Sequence, residues 1–273
     1  MTVIVRARDE AARIGECLAL VRRQRPAGRD VELVVVDNGS RDGTAAIARG
    51  FGARVVELER ERFSFGRALN LGAEHASGAL LVALSADARP RDPGWLARLA
   101  DAFCDPRVAC ASGDRYGPDA QPLRAPVRQD LQLFCACPQF GYSNGAGAFR
   151  AQLWQERPFR EDLPGCEDRE WSLFWLRRGW ICLVDPALAV CHDHTHDPLP
   201  AIYRRARREA EGMALFLSRP PLSGAQLLAR WWSDTRYYDS RLRARLSHRR
   251  AARLLGDYVG RRRAARSGGA TGG

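Results

Sequence analysis

The sequence predicts a doubly wound, mostly parallel α/β sheet flanked by helices and continued by a basic helical C-terminal tail. Three observations predict it. The first half alternates short β-rich runs with helix-like segments, two of those runs are apolar on both faces, and arginine concentrates after residue 202. With 273 residues and 45% hydrophobic side chains, the chain can bury a sizeable core as one large domain or two closely packed lobes.

Strands are expected over residues 2–7, 31–37, 53–58, 79–84 and 108–113, and helices over 10–24, 42–51, 66–77 and 93–103. Val55-Val56 and Leu80-Leu81-Val82-Ala83-Leu84 lack the alternation of a half-exposed strand, as parallel strands covered on both faces require. The alternation itself implies right-handed helical crossovers between parallel strands. Residues 114–200 read as less regular, with loops, then Ser143 to Arg150, then an acidic turn opening a helix over 168–178. That helix carries Trp171, Phe174 and Trp175 at i, i+3, i+4, a core stripe, and stops at Gly179. A strand-like run over 181–190 follows, and the Gly- and Ser-rich residues 267–273 read as disordered.

No apolar stretch approaches the roughly 20 residues of a membrane span. The chain opens on a strand-like Val3-Ile4-Val5 rather than a signal peptide, so a cytoplasmic protein is expected. The eight cysteines show no C-x-x-C spacing and are expected to be free thiols. Cys135-x-Cys137 has no second pair nearby, which favours small apolar fillers over a metal site. The net charge of +11 is uneven: residues 1–202 hold 26 Arg against 27 acids, whereas 203–266 hold 17 Arg against five acids. There is no lysine.

In open sheets of this kind ligands bind beyond the carboxyl ends of the strands. Three such ends are acidic: Arg6-Ala7-Arg8-Asp9-Glu10, Asp37-Asn38-Gly39-Ser40 and Ser85-Ala86-Asp87-Ala88-Arg89-Pro90. Asp37 is positioned to accept hydrogen bonds from a base or ribose; the plainer alternative is a turn whose Asp and Ser cap the next helix. Neither a dinucleotide glycine fingerprint nor a Walker A loop is present, which weakens dehydrogenase and P-loop readings. Arg67 and Asn70 lie one turn apart on a helix, and the only three Asn of the chain, Asn38, Asn70 and Asn144, all fall in candidate motifs. Glu167-Asp168 sits at a helix N-terminus, where the dipole stabilises carboxylates, so two capping acids are the alternative to chemistry. On an extended chain His192, His194 and His196 share one face, a ligand set or else a polar loop facing solvent.

Together, Val3 to Glu10, Val34 to Ser40 with Asp42-Gly43-Thr44, Phe63 to Gly72, Leu84 to Pro90 and Glu167-Asp168 resemble the family-two inverting glycosyltransferases of GT-A fold, especially their bacterial rhamnosyltransferase-like branch. The resemblance covers residues 1 to about 215. It implies that Ala7, Glu10 and Asp37 contact the nucleoside of a UDP-, dTDP- or GDP-linked sugar donor, that Arg67 approaches its phosphates, and that Asn70 and Asn144 belong to the donor site. Ser85-Ala86-Asp87 stands where the family has D-x-D, a departure because the first Asp is Ser85. Asp87 keeps the metal-ligating position, with His192 as its partner and Mn2+ or Mg2+ as the cation. Asp168 matches the catalytic base and Glu167 supports it or orients the acceptor. Residues 1–115 then form the nucleotide-sugar-binding half, 116–215 the acceptor-binding and catalytic half, and 216–273 the tail.

The tail mixes Arg with Trp231-Trp232 and Tyr237-Tyr238, as interfacial helices do on anionic lipid, so a peripheral protein at the inner face of the plasma membrane is expected, acting on a glycan or lipid-linked acceptor in cell-surface polysaccharide or glycolipid synthesis. A solvated basic helix pair is the alternative. Three rivals remain: a nucleic-acid-binding protein, which leaves Asp37, Asp87 and Asp168 unexplained, so no nucleic-acid partner is expected; a nucleotidyltransferase, which lacks its Gly-rich basic loop; and a non-catalytic relative.

Overall fold

The apolar runs become an eight-stranded sheet in a computed structural model that describes residues 1–26, 28–192, 196–233 and 240–268. Its strands are β1 (Thr2–Ala7), β2 (Glu32–Asp37), β3 (Arg54–Glu57), β4 (Leu80–Ser85), β5 (Val108–Ser112), β6 (Val127–Gln129), β7 (Ala146–Arg150) and β8 (Ile181–Val184), in spatial order β3-β2-β1-β4-β7-β5-β8-β6. β1 runs parallel to β2 and β4, β2 to β3, and β5 to β8. β7 is antiparallel to both β4 and β5, and β6 to β8.

Helices cover both faces, which explains the continuous apolar runs. Val3, Val5, Val82 and Leu84 pack with Ile14, Leu18 and Val21 of α1 (Ala11–Arg22) and with Trp95, Leu96 and Leu99. On the other face Gly72 presses α3 (Phe65–Glu74) onto β1, where a Cβ would come within 2.3 Å of Ile4 Cγ2. Between β2 and β3 lies α2 (Thr44–Gly50), and α4 (Trp95–Asp101) precedes β5.

The irregular middle contains more order than its composition predicts. β6, α5 (Leu131–Ala136), β7 and α6 (Ala151–Glu156) all form there, before α7 (Glu167–Leu176). β7 escapes sequence reading because Gly147 interrupts it. A Cβ at Gly147 would sit 2.6 Å from the Ser143 carbonyl oxygen and 2.8 Å from that of Ala111, so close pairing to its neighbours demands glycine. The strand expected over 181–190 stops at Val184, because the Asp185 carboxylate accepts the Ala187 N–H at 2.8 Å and caps a 3₁₀ turn, Pro186–Leu188.

The chain divides into two compact units, Met1–Glu161 with Trp171–His192, and Asp162–Glu170 with Asp193–Gly273. This differs from the boundaries expected at 115 and 215. In the second unit α8 (Leu199–Leu217) belongs with the tail helices α9 (Gly224–Ser233), α10 (Arg241–Leu246) and α11 (His248–Gly268). The reason is a glycine seam: a Cβ at Gly256 would lie 2.7 Å from the Tyr203 carbonyl oxygen, and one at Gly260 2.3 Å from that of Arg207. Gly260→Val is therefore expected to destabilise this helix pair by about 1–3 kcal/mol through overpacking, read as a lower denaturant midpoint. An unchanged midpoint would show that the helices separate at no cost.

α11 continues through Ser267 and Gly268, past the point where disorder is expected; residues 269–273 lie outside the described residues. All eight cysteines are free, and Cys135 is exposed on α5. Among the described residues, no helix is long and apolar enough to cross a membrane.

Candidate active site

The ends of β1 and β2 are knitted into one surface. Ala7, buried, pairs in register with Asp37, and its carbonyl accepts the Asn38 N–H at 3.0 Å. The buried Asp37 carboxylate accepts the Ser40 N–H at 3.1 Å and the Ser40 hydroxyl. Asp9, with φ 52°, donates its N–H to Ser40 Oγ at 2.9 Å, and Glu10 donates its own to Thr44 Oγ1 at 2.8 Å. The Asp42 carboxylate accepts from Ala11 N at 2.9 Å and from the Thr44 hydroxyl at 2.5 Å. Those bonds, the Thr44 hydroxyl foremost, hold its carboxyl below the ordinary range. The turn residues thus do not simply cap their own helix. Asp42 reaches across with one oxygen to the first N–H of α1 and with the other accepts the first N–H of α2, that of Thr44, at 3.1 Å, while the N-cap of α2 is Gly43 at φ 88°.

Asn38 was not singled out from the sequence for a role of its own. It is buried, and its Oδ1 has no hydrogen-bond partner among the described residues, an acceptor left for a ligand.

At the end of β4, Ser85 donates its N–H to the Gly145 carbonyl at 2.9 Å and accepts the Ala88 N–H at 3.0 Å, a tight turn that projects Asp87. Arg89 and Cys191 exchange two backbone hydrogen bonds of 2.9 Å as an isolated antiparallel bridge. This bridge returns the chain beside the turn and sets His192 Nε2 3.0 Å from Asp87 Oδ1. Burial, and then the negative charge of Asp87, push the Glu10 carboxyl above its ordinary range. Among the described residues no group of three or more His, Cys, Asp or Glu is arranged to hold an ion. The shared face expected for the three histidines falls partly outside the described residues, which omit Asp193, His194 and Thr195; His196 is exposed.

Arg6 donates from Nη2 to the backbone carbonyl of the buried Asn144 at 2.8 Å, with its guanidinium 5.5 Å from the Phe65 ring centroid. Arg67, in α3, lies 3.4 Å from Glu161 and 3.8 Å from Glu74, so its charge is already countered by two carboxylates.

Asn70, expected in the donor site, makes its hydrogen bonds within the protein. Its amide donates to the Phe159 carbonyl and to Glu161 Oε1, both at 2.9 Å, and its Oδ1 accepts from Trp154 Nε1 at 2.9 Å and Phe159 N at 3.0 Å. Buried, with both amide hydrogens and its carbonyl oxygen bonded, Asn70 is a clasp between α3 and the segment around Phe159.

Glu167 and Asp168 belong to the second unit, whereas Asp87 and His192 belong to the first. Asp168 Oδ1 accepts the Arg169 N–H at 2.8 Å, and Glu167 is buried. The turn before them is pressed onto α8. Cys166, at φ 63°, directs its thiol to the Glu209 carbonyl at 3.6 Å, and a Cβ at Gly212 would lie 2.0 Å from the Gly165 carbonyl oxygen. Burial pushes the Glu209 carboxyl above the ordinary range; the Arg205 guanidinium opposes this and the charge of Asp168 reinforces it. Glu209 is a neighbour of the acidic turn that sequence reasoning missed, because its helix is adjacent only in space.

A family model described as Glycosyl transferase family 2 matches residues 2–182. Glycosyltransferase AglE of Haloferax volcanii is 38% identical over 102 residues, 36% of this chain and 33% of that protein. A 4,4'-diaponeurosporenoate glycosyltransferase of Staphylococcus aureus is 41% identical over 59 residues, 21% of this chain and 15% of that protein. The matched region thus spans a third or less of these relatives' own length. Among solved structures, mannosyltransferase PcManGT from Pyrobaculum calidifontis, in complex with GDP-Man and Mn2+, gives a TM-score of 0.65 at 21% identity, covering 100% of this chain and 75% of that one. Glucosyl-3-phosphoglycerate synthase from Mycobacterium tuberculosis, in complex with Mn2+, UDP and glucosyl-3-phosphoglycerate, gives 0.59 at 20%, covering 80% of each chain. These structural likenesses establish a shared fold.

Proposed function

The chain belongs to Glycosyl transferase family 2, and from that premise we propose that it moves a sugar from a nucleotide diphosphate donor to an acceptor hydroxyl, with inversion at the anomeric carbon. The observation that carries this reading is the Asp87 to His192 pair, 3.0 Å apart at a strand end where acids crowd Glu10. Ala7, Glu10, Asp37 and the open Asn38 Oδ1 would meet the nucleoside of a UDP-, dTDP- or GDP-linked sugar, and Ser85, Asn144 and Arg67 the rest of the donor. The solved relatives carrying GDP-Man or UDP support a donor of this class.

A divalent cation fits the pair. One carboxylate and one imidazole offer two ligand atoms to a single ion, and the surplus negative charge around Glu10 is the field a cation relieves. Asp87 and His192 would hold it, with oxygens of the donor's diphosphate among the remaining ligands. Mn2+ or Mg2+ suits the carboxylate, and the Mn2+ complexes of the solved relatives support the former. Bound there, such an ion offsets the negative charge that grows on the departing diphosphate. Asp168 takes the acceptor hydroxyl's proton as that oxygen attacks the anomeric carbon, and Glu167 orients the acceptor or supports Asp168. The acceptor is a glycan or a lipid-linked hydroxyl in cell-surface polysaccharide or glycolipid synthesis, reached from the cytoplasmic membrane face that the basic tail favours.

A thermal-shift screen of nucleotide sugars with and without Mn2+ tests the reading. A donor at 100 times its Kd stabilises the fold by about 2.7 kcal/mol. Asp87→Ala is expected to shrink that shift and to abolish the further gain on adding Mn2+. A variant whose Mn2+ response equals that of the parent removes Asp87 from the metal site, and a screen in which no nucleotide sugar stabilises the chain removes the donor.

A further inference from the structure

Helix α9 has its amphipathicity turned outward. Ala225, Leu228, Ala229 and Trp232 recur at i, i+3, i+4 and i+7 and form one stripe. All four are exposed, Leu228 at 71% and Trp232 at 65%, and no residue of the helix is buried. The cation of the same helix points the other way: Arg230 Nη1 lies 2.8 Å from Asp257 Oδ2 on α11. A helix on a water-facing surface does the reverse, burying Leu and Trp and exposing Arg.

Helix α10 extends the surface. Leu242 and Leu246, one turn apart, are 67% and 69% exposed, and the Arg245 guanidinium lies 3.5 Å from the Trp232 ring centroid, joining the two apolar stripes through a stacked cation. Beneath them the buried Arg250 of α11 donates from Nη2 to the carbonyls of Arg230 at 2.9 Å and Trp231 at 2.8 Å, and from Nη1 to that of Ala244 at 3.4 Å. One guanidinium thus fastens both helices, so the exposed apolar residues stand on a built platform rather than on frayed chain.

We propose that this α9 and α10 surface docks on an anionic bilayer, with Leu228, Trp232, Leu242 and Leu246 inserted at the headgroup level. Charge decides the occupant. Residues 203–266 carry 17 Arg against five acids, which complements lipid phosphates and repels a second copy of the same face. A nucleic-acid backbone would satisfy the arginines but leave four large apolar side chains in water. The proposal rests on the transferase reading only for what the docking achieves, the meeting of the enzyme with acceptors carried on lipid.

The test is co-sedimentation of the full chain with phosphatidylcholine vesicles, with and without phosphatidylglycerol, beside Leu228→Ala/Trp232→Ala and Leu242→Ala/Leu246→Ala variants. The parent is expected to partition onto the anionic vesicles with a blue shift in tryptophan emission. Each double variant is expected to lose about 10-fold or more in partitioning, because each removes two side chains that would leave water. The truncated side chains are exposed, so elution volume and thermal midpoint should hold. Equal sedimentation of parent and variants overturns the proposal, as does tighter binding to RNA or DNA than to vesicles. So does a parent dimer that the variants convert to monomer, which would assign the face to a second copy. Docking by a chain that no nucleotide sugar stabilises would uphold this surface and remove the transferase reading instead.

Discussion

Asp168→Asn is expected to lower turnover by roughly 10²-fold or more while donor affinity stays within a few-fold. General-base assistance typically contributes about 10²- to 10⁴-fold, and a group that acts in the transition state leaves ground-state binding nearly untouched. The substitution is isosteric, and its remaining Oδ1 can still accept the Arg169 N–H that Asp168 now accepts at 2.8 Å, so the helix start keeps its local hydrogen bond. Neutralising Asp168 also removes a charge that raises the Glu209 carboxyl. Steady-state kcat and KM, measured with the donor found by thermal shift, separate the roles. Near-normal turnover would reduce Asp168 to a helix cap and move the search for the base to Glu167.

Asn70→Ala is expected to cost about 3 kcal/mol or more of stability. It strands the buried Phe159 N–H and carbonyl and the half-buried Trp154 indole N–H; each buried orphaned group costs about 1–3 kcal/mol. Asn70→Asp keeps the acceptor but loses both donors and buries a charge, so it should be no milder. A denaturant midpoint reads the effect, and donor affinity per folded molecule should be preserved. An Asn70→Ala chain of parental stability that fails to bind donor would return Asn70 to the binding site.

Much of the fold was legible because its signals are local. Val55-Val56 and Leu80 to Leu84 are apolar on both faces, and β3 and β4 form within a residue or two of the expected ranges. The expected strand ends put Asp37 at the end of β2 and Asp87 just beyond β4, and the structure has both there; that they serve a ligand is part of the proposal. The tail's charge was equally plain.

Tertiary structure decided which distant groups meet. β7 enters between β4 and β5 through a glycine whose requirement comes from the Ser143 and Ala111 carbonyls rather than from its own segment. Asp87 and His192 come together through a two-bond bridge at Arg89 and Cys191, and Asn70 is claimed by a backbone 89 residues away. The outward direction of the α9 stripe follows from Arg230 finding Asp257 and Arg250 finding the ends of two helices. The physical reason is the same in each case. Apolar periodicity is written in adjacent residues, whereas the partner of a polar side chain is chosen by packing, after the chain has brought remote segments within hydrogen-bond reach.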